Sequence, residues 1–281
     1  MRDWTRQRYR NERFDRFWSN ETIEREKDGK KRLRLLFVSD LHLGTEARQV
    51  ERLCQSVKRL RPELILIAGD ILTAKLPQCH SLAEQLLKQW AAIAPVIVSL
   101  GNHEMKWPET AAAWREIDRV TVLDNETVHY DWAGDLIQIT GLTLNKRHFA
   151  RGRRPHLTME ELCACIGRRK PQGFHILLAH HPAYSRQYRR WGADLTLSGH
   201  YHGGLLRLPF FGGVLSPQLV PFPQYSRGCY GDEHRLHLVT TGAGDHTGLP
   251  RWWNPKELVC VDLVKEQGRI RIDTMIRMER K

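Results

Sequence analysis

Five short apolar runs, each ending in Asp, Asn or His, constrain the fold of this 281-residue chain more than any other feature. The runs are RLRLLFVSD, PELILIAGD, APVIVSLGNHE, GFHILLAHHP and ADLTLSGHYH. Segments with helical spacing lie between the first four runs, at 46–60, 80–93, 109–118 and 158–168. Strands that alternate with helices predict an α/β fold. Because the strands are continuously apolar, we expect sheets that are covered on both faces.

The rest of the chain adds strands and extra segments to this pattern. A mixed sheet or a second sheet is indicated by strands without intervening helices near 127–140, 236–241, 258–264 and 269–276. Residues 203–234 are rich in glycine, proline and aromatic side chains and predict a long, ordered loop. Residues 1–30 are interpreted as a basic, aromatic extension, and residues 31–281 as a single domain.

The net charge of +12 sets this chain apart from an ordinary globular composition. Such a charge is typical of proteins with an anionic partner, such as a phosphorylated substrate, nucleic acid or an acidic membrane surface, although solubility alone can also account for it. The six cysteines are irregularly spaced without a CxxC pair, which indicates reduced thiols. No run is apolar enough to span a bilayer or to serve as a signal core, so we expect a cytoplasmic protein.

The polar residues at the strand ends form the candidate site. Ligands of open α/β sheets bind outside the carboxyl ends of the strands. Those ends present Asp40, His42, Asp70, Asn102, His103, His180, His181, His200 and His202. Any one of them could be a cap or turn residue. Together they would be costly to bury without a counter-charge. Oxygen and imidazole ligands suit Mn, Fe or Zn better than Ca or Mg, and their number suits two ions better than one.

The stretch LSGHYHGG places two histidines one residue apart between glycines. Alternation along an extended backbone sends His200 and His202 to the same side, and the glycines allow the backbone to bend tightly. A surface loop is an equally good explanation of this stretch alone. Beside the other strand ends, two imidazoles on one side could reach two neighbouring ions.

The stretches SDLHLG, AGDIL, LGNHE, LLAHHP and SGHYHGG, in this order, resemble the five motifs of the calcineurin-like metallophosphoesterases. The resemblance implies a four-layer αββα sandwich, in which two mixed β-sheets are flanked by helices. It implies one metal held by Asp40, His42 and His202. It implies a second metal held by Asn102, His180 and His200. Asp70 would bridge the two, and His103 would protonate the leaving oxygen.

The two adjacent histidines of LLAHHP leave one choice open. In the family pattern the ligand follows the small residue that ends the strand, which here is Ala179. We therefore expect His180 to be the ligand and His181 to lie behind it or to contact the substrate.

The resemblance implies a phosphoester hydrolase in which a hydroxide that bridges two metal ions attacks phosphorus. We expect a phosphodiesterase or pyrophosphatase. A nuclease or phosphomonoesterase on the same site is the alternative, and a non-catalytic scaffold is least favoured because the motif residues are complete. The segment TTGAGDHTGLPRWWNPKELVCVDL resembles a small bacterial branch with membrane-associated phosphohydrolases and enzymes similar to UDP-2,3-diacylglucosamine hydrolase.

Partners are less sharply indicated. Arginine-dense stretches at 145–154 and 185–192 could contact phosphate or could be solvated loops. The aromatic residues predicted in loops either face a membrane surface or pack in the core; they are Phe210, Phe211, Phe222, Trp252 and Trp253. We expect a phosphorylated small-molecule or lipid-linked substrate and peripheral contact with an anionic membrane. Nucleic acid is less favoured, and the oligomeric state is left open.

Overall fold

Two β-sheets pack face to face in this protein, with helices on their outer faces. The computed structural model describes residues 18–19, 31–152, 156–208, 210–232, 234–245 and 253–280. A core of interdigitating apolar side chains from both sheets, such as Phe37, Leu66, Ile139 and Leu178, fills the space between them. This arrangement confirms the α/β fold and the four-layer sandwich that the sequence predicts.

The first sheet contains, in chain order, β1 (Trp18–Ser19), β2 (Arg32–Val38), β3 (Leu64–Ala68), β4 (Val96–Ser99), β5 (Val120–Leu123), β14 (Lys256–Glu266) and β15 (Arg269–Arg280). The spatial order of the strands is β1-β15-β14-β2-β3-β4-β5. Strands β2 to β5 are parallel, whereas β14 is antiparallel to both β2 and β15. Strand β1 lies within the predicted extension and pairs with β15; the rest of residues 1–30 falls outside the described residues.

The second sheet contains β6 (Thr127–Trp132), β7 (Asp135–Leu142), β8 (Phe174–Ala179), β9 (Leu195–Ser198), β12 (Gly228–Gly231) and β13 (Leu236–Val239). Its order is β12-β13-β9-β8-β7-β6, with parallel pairing from β7 to β13 and an antiparallel strand at each edge. The later strands predicted without helices are thus divided between the two sheets.

The prediction of one long loop at 203–234 is wrong, because the structure places strands in this region. The region contains strand β12 and a separate antiparallel hairpin of β10 (Leu206–Leu208) and β11 (Gly212–Leu215). These strands have three or four residues and several glycines, so they are too short to show the alternation by which a strand is recognised in a sequence.

Five α-helices cover the outer faces in the described residues. They are α1 (Ala47–Leu60), α2 (Cys79–Ala91), α3 (Pro108–Arg115), α4 (Met159–Ile166) and α5 (Ser185–Trp191). Helices α1 to α3 bury their apolar sides against the first sheet, while α4 and α5 pack on the second. The first four agree with the predicted helical segments to within three residues. Within the described residues, no helix combines the length and the apolar character needed to cross a bilayer.

Candidate metal centre

The carboxyl ends of β2, β3, β4, β8 and β9 meet at one edge of the sandwich. The amide of Asp40, after β2, donates to the carbonyl of Gly69, after β3, at 3.1 Å. The amide of His200, after β9, donates to both carboxylate oxygens of Asp40 at 3.1 and 2.9 Å. Loops from both sheets are therefore joined by hydrogen bonds that involve the candidate ligands themselves.

Five candidate residues have a left-handed backbone. The φ angles of Asp40, His42, Asp70, His200 and His202 are 52°, 38°, 55°, 64° and 50°. Residues other than glycine adopt such angles rarely, and the cost is offset only where the surrounding structure holds them. Strain of this kind gathered in one place is typical of a functional site.

Two motif glycines allow the loops to approach each other closely. A Cβ atom on Gly101 would lie 2.6 Å from the amide nitrogen of Asp70 and would also touch its carboxylate. A Cβ atom on Gly199 would collide with Ser39 and with the carboxylate of Asp40. Glycine is thus required at both positions, because Gly101 lies against Asp70 and Gly199 lies against Asp40.

The first group of candidate ligands consists of Asp40, His42 and His202, whose ligand atoms all lie within 4.8 Å of one another. The Nε2 atoms of His42 and His202 are 3.2 Å apart, and Nε2 of His202 is 3.5 Å from Oδ1 of Asp40. All three side chains are buried. Two imidazole nitrogens and a carboxylate oxygen therefore converge on one point.

The second group consists of Asp70, His180 and His200, again within 4.8 Å. Nδ1 of His180 is 2.7 Å from the carbonyl oxygen of Ala68 and donates to it. In the neutral ring, Nε2 therefore carries the lone pair, and it lies 3.1 Å from Oδ2 of Asp70. Two electron-rich atoms at this distance require a cation or a proton between them.

The electrostatics of the buried carboxylates lead to the same requirement. Burial, together with the negative charge of Asp70, raises the pKa of Asp40 to about 7. Burial opposes protonation of His180, yet the neighbouring Asp70 and Asp40 raise the pKa of its ring to about 10. The site thus holds an excess of buried negative charge that attracts positive charge.

The set of donor atoms fits a divalent metal. Oδ1 of Asn102 is buried and has no hydrogen-bond partner in the part of the chain that the structure describes. An orphaned amide oxygen is costly unless something outside the chain binds it. Carboxylate oxygens, imidazole nitrogens and this amide oxygen together suit a divalent metal ion.

His103 differs from the other histidines in its hydrogen bonding. Its Nδ1 accepts from the amide of Ala74 at 2.9 Å, so the proton of the neutral ring is on Nε2. Its own amide donates to Oδ1 of Asp70 at 2.9 Å, and Nε2 lies 3.9 Å from Oδ2 of Asp70. His103, His42 and Asp70 each offer one ligand atom, and these three atoms lie within 4.8 Å of one another. In this neutral tautomer Nε2–H can donate a hydrogen bond and offers no lone pair to a metal, and transfer of its proton requires the cationic ring.

The geometry separates the two adjacent histidines. His181 is buried, its Nε2 pairs with Oε1 of Gln218 at 2.8 Å, and its Nδ1 accepts from the amide of Ala183 at 3.2 Å. Burial lowers the pKa of His181 to about 3, so its ring is neutral. His180 therefore faces Asp70, while both nitrogens of His181 are engaged elsewhere.

A comparison with protein-family models decides the family. The model described as calcineurin-like phosphoesterase matches residues 33–204, which is more than half of the chain and includes every candidate ligand. The chain belongs to the calcineurin-like phosphoesterase family. The resemblance drawn from the five motifs is thereby confirmed.

The curated relatives that match this chain align with most of its length. It is 28% identical to a transmembrane protein with metallophosphoesterase domain from Danio rerio, over 78% of this chain and 50% of the relative. It is 25% identical to phosphodiesterase YaeI of Escherichia coli, over 85% of this chain and 84% of the relative. The chain spans only 43 to 60% of the length of three curated relatives that it matches.

Among solved structures, the fold is similar to that of the sulfate thiohydrolase SoxB of Thermus thermophilus. The TM-score is 0.57 at 13% identity, over 92% of this chain and 58% of SoxB. At this identity the likeness supports the fold of the chain and nothing more specific.

Two residues that support the candidate site were not identified from the sequence. The buried carboxylate of Glu104 accepts from the amides of Asp70, Leu72 and Gly101 at 2.8, 3.0 and 2.9 Å. Gln218 holds His181 and also donates to the carbonyl of His148 at 2.8 Å. Glu104 belongs to the LGNHE motif, which could have indicated it, whereas no sequence signal marks Gln218.

The arginine-dense stretches lie in different places. In 145–154, the half-buried ring of Phe149 lies 5.0 Å from that of His200, so this stretch borders the site. Arg147 is exposed and pairs with Glu161, and residues 153–155 lie outside the described residues. The stretch 185–192 forms α5, which packs behind His181 through Tyr188 and leaves Arg186 and Arg190 exposed.

Proposed function

We propose that this chain hydrolyses phosphoesters with the help of two divalent cations, and that phosphodiesters or pyrophosphates are its substrates. The arrangement of two buried groups of ligand atoms around Asp70, with the protonated Nε2 of His103 beside them, carries the proposal. Asp70 lies between the groups, since its Oδ2 is 3.9 Å from Nε2 of His42 and 3.1 Å from Nε2 of His180.

The ligands divide between the two cations as the family motifs imply. One cation, which is Mn, Fe or Zn, would be held by Asp40, His42 and His202. The other would be held by Asn102, His180 and His200. The two carboxylate oxygens of Asp70 allow it to serve both.

Divalent cations at this place lower the pKa of water and neutralise the charge of phosphate oxygens. The chain's own part is to position the reacting groups and to supply a proton. Nε2 of His103 is held toward the site because Nδ1 is fixed by the amide of Ala74. The neutral ring would donate a hydrogen bond from Nε2 to the leaving oxygen. A ring that takes up a second proton on Nδ1, releasing the amide of Ala74, would pass the Nε2 proton to that oxygen, which otherwise departs as a strongly basic alkoxide, and would return to the neutral form.

The proposed preference for diesters or pyrophosphates has two supports. A relative that covers most of this chain carries the name phosphodiesterase. A positioned acid matters most for leaving groups that are poor without protonation, as in alkyl diesters. The net charge of +12 further favours anionic substrates.

The test begins with protein that is stripped of metal, verified by elemental analysis, and reloaded with Mn²⁺. It is assayed on a simple diester, a pyrophosphate, a monoester, a sugar nucleotide, a phospholipid and single-stranded DNA. We expect hydrolysis of diester or pyrophosphate only after reloading, with two metal ions per chain. Preference for the monoester would overturn the substrate class, and preference for DNA would replace small-molecule diesters by the nuclease alternative. Full activity without metal, or no hydrolysis by the loaded protein, would overturn the proposal itself.

A further inference from the structure

An exposed apolar surface surrounds the β10–β11 hairpin. Within the described residues, eight large apolar side chains are exposed, and seven of them belong to this surface. They are Leu206, Leu208, Phe210, Phe211, Leu219, Phe222 and Trp253. Phe210 at the hairpin tip is 88% exposed, and Phe211 and Trp253 are each 63% exposed. The eighth residue, Leu76, lies elsewhere and is 36% exposed. Trp252 lies outside the described residues.

The segments that carry these side chains are joined by hydrogen bonds. The amide of Phe222 donates to the carbonyl of Val214 in β11 at 2.7 Å. Asn254, the neighbour of Trp253, donates from Nδ2 to the carbonyl of Gly204 at 3.3 Å, just before β10. Leu206 and Leu208 lie two residues apart and therefore share one face of β10. The seven side chains thus come from one part of the surface.

This apolar surface lies beside the candidate metal centre. The side chain of Asn254 also donates to the carbonyl of His202, a candidate ligand. Three residues separate His202 from the start of β10. Any partner that binds the hairpin is therefore also close to the candidate metal centre.

Four of the exposed residues have backbones in the left-handed region. The φ angles of Phe210, Leu219, Phe222 and Trp253 are 67°, 61°, 48° and 49°. Glycine or asparagine would adopt these angles at lower cost. Bulky apolar side chains at strained and exposed turns are typical of surfaces that bind another molecule.

Basic residues flank the apolar surface. The amide of Gly152 donates to the carbonyl of Gln218 at 2.8 Å, which places the exposed Arg151 near Leu219. Lys146 is exposed in the same loop region, and the whole chain carries a charge of +12. Exposed phenylalanine and tryptophan beside basic groups are complementary to the interface of an anionic bilayer.

We propose that this apolar surface docks the protein on an anionic lipid bilayer. Phe210 and Phe211 enter the interfacial region, and the basic loop contacts lipid phosphates. This docking goes beyond the proposed hydrolysis and does not depend on it.

The test measures sedimentation of the full chain with vesicles of phosphatidylcholine and with an equimolar mixture of phosphatidylcholine and phosphatidylglycerol. We expect binding to the mixed vesicles that weakens with salt but persists, because apolar contacts are not screened. The double variant Phe210→Ser, Phe211→Ser should bind about tenfold or more weakly, since each buried phenylalanine contributes substantially to transfer from water. Leu76→Ser, an exposed residue elsewhere, should bind as the unaltered chain does.

Three results would overturn the proposal. One is no binding to mixed vesicles at low salt, and another is unchanged binding by the double variant. The third is a dimer in sedimentation velocity without lipid that the double variant converts to a monomer, because the surface would then bind a second copy. Thermal unfolding and hydrolysis of a soluble diester should be the same in the double variant and the unaltered chain. If neither the unaltered chain nor any variant hydrolysed the diester, this result would count against the proposed function and not against the docking.

Discussion

Replacing Glu104 by glutamine tests how the candidate centre is held. Oε2 of Glu104 accepts from the amides of Asp70 and Gly101, and Oε1 accepts from that of Leu72. In Glu104→Gln, one oxygen becomes an NH2 group, which must face at least one of these amide donors. A hydrogen bond to a charged acceptor contributes about 1.5–3 kcal/mol, and a buried unpaired donor costs about 1–3 kcal/mol. We therefore expect the free energy of unfolding to fall by about 2–4 kcal/mol.

The assay is urea denaturation of metal-free protein, followed by metal content and hydrolysis of a simple diester by reloaded protein. Glu126→Gln is the matched control, because Glu126 is exposed and pairs with Arg115. That exposed pair contributes about 0–1 kcal/mol. Since Glu104 joins the loops of Asp70 and Gly101, its variant should also bind less metal and hydrolyse more slowly. If both variants have the same stability and activity, the three amide bonds do not organise the centre.

Three further predictions follow from individual contacts. His103→Ala should keep its metal and slow hydrolysis by about 10²–10⁴-fold, with a smaller effect for substrates that have good leaving groups. The control variant His129→Ala, at an exposed position, should change the rate little. Loss of metal from His103→Ala in elemental analysis would instead make His103 a ligand. Gly101→Ala should lower activity by about 10²-fold, because the added Cβ displaces the carboxylate of Asp70. Gly44→Ala is the control and should leave activity unchanged, since its Cβ would lie 3.8 Å from the nearest atom. Equal rates for the two variants would refute the steric argument. Burial lowers the pKa of His237 from 6.5 to about 3, so the unfolded chain binds a proton that the folded chain excludes, and stability falls as pH decreases between these values. His237→Gln should reduce that slope by about 1.4 kcal/mol per pH unit in denaturation series, and an unchanged slope would assign the loss to other groups.

The sequence predicted most of the fold because its core strands are continuous apolar runs that end in polar residues. Strands β2, β3 and β4 show burial along nearly their whole length, as runs covered on both faces should. The hairpin at β10 and β11 could not be predicted, since its strands are only three and four residues long and its leucines alternate with the opposite sense to a strand that faces a core. Whether the aromatic residues near it are packed or exposed depends on tertiary contacts, and the structure shows Phe210, Phe211 and Phe222 exposed.

The candidate ligands could be named from motifs, but their chemical roles depend on contacts between distant residues. Ala74 fixes the ring of His103 from 29 positions away, and Gln218 occupies His181 from 37 positions away. These contacts decide which ring nitrogen carries a proton and which carries a lone pair. The same residue type therefore becomes a hydrogen-bond donor toward the site at His103, a candidate ligand at His180 and a neutral support at His181. A sequence motif identifies where histidines gather, whereas the backbone amides and carbonyls that the fold brings to each ring determine what that ring can do.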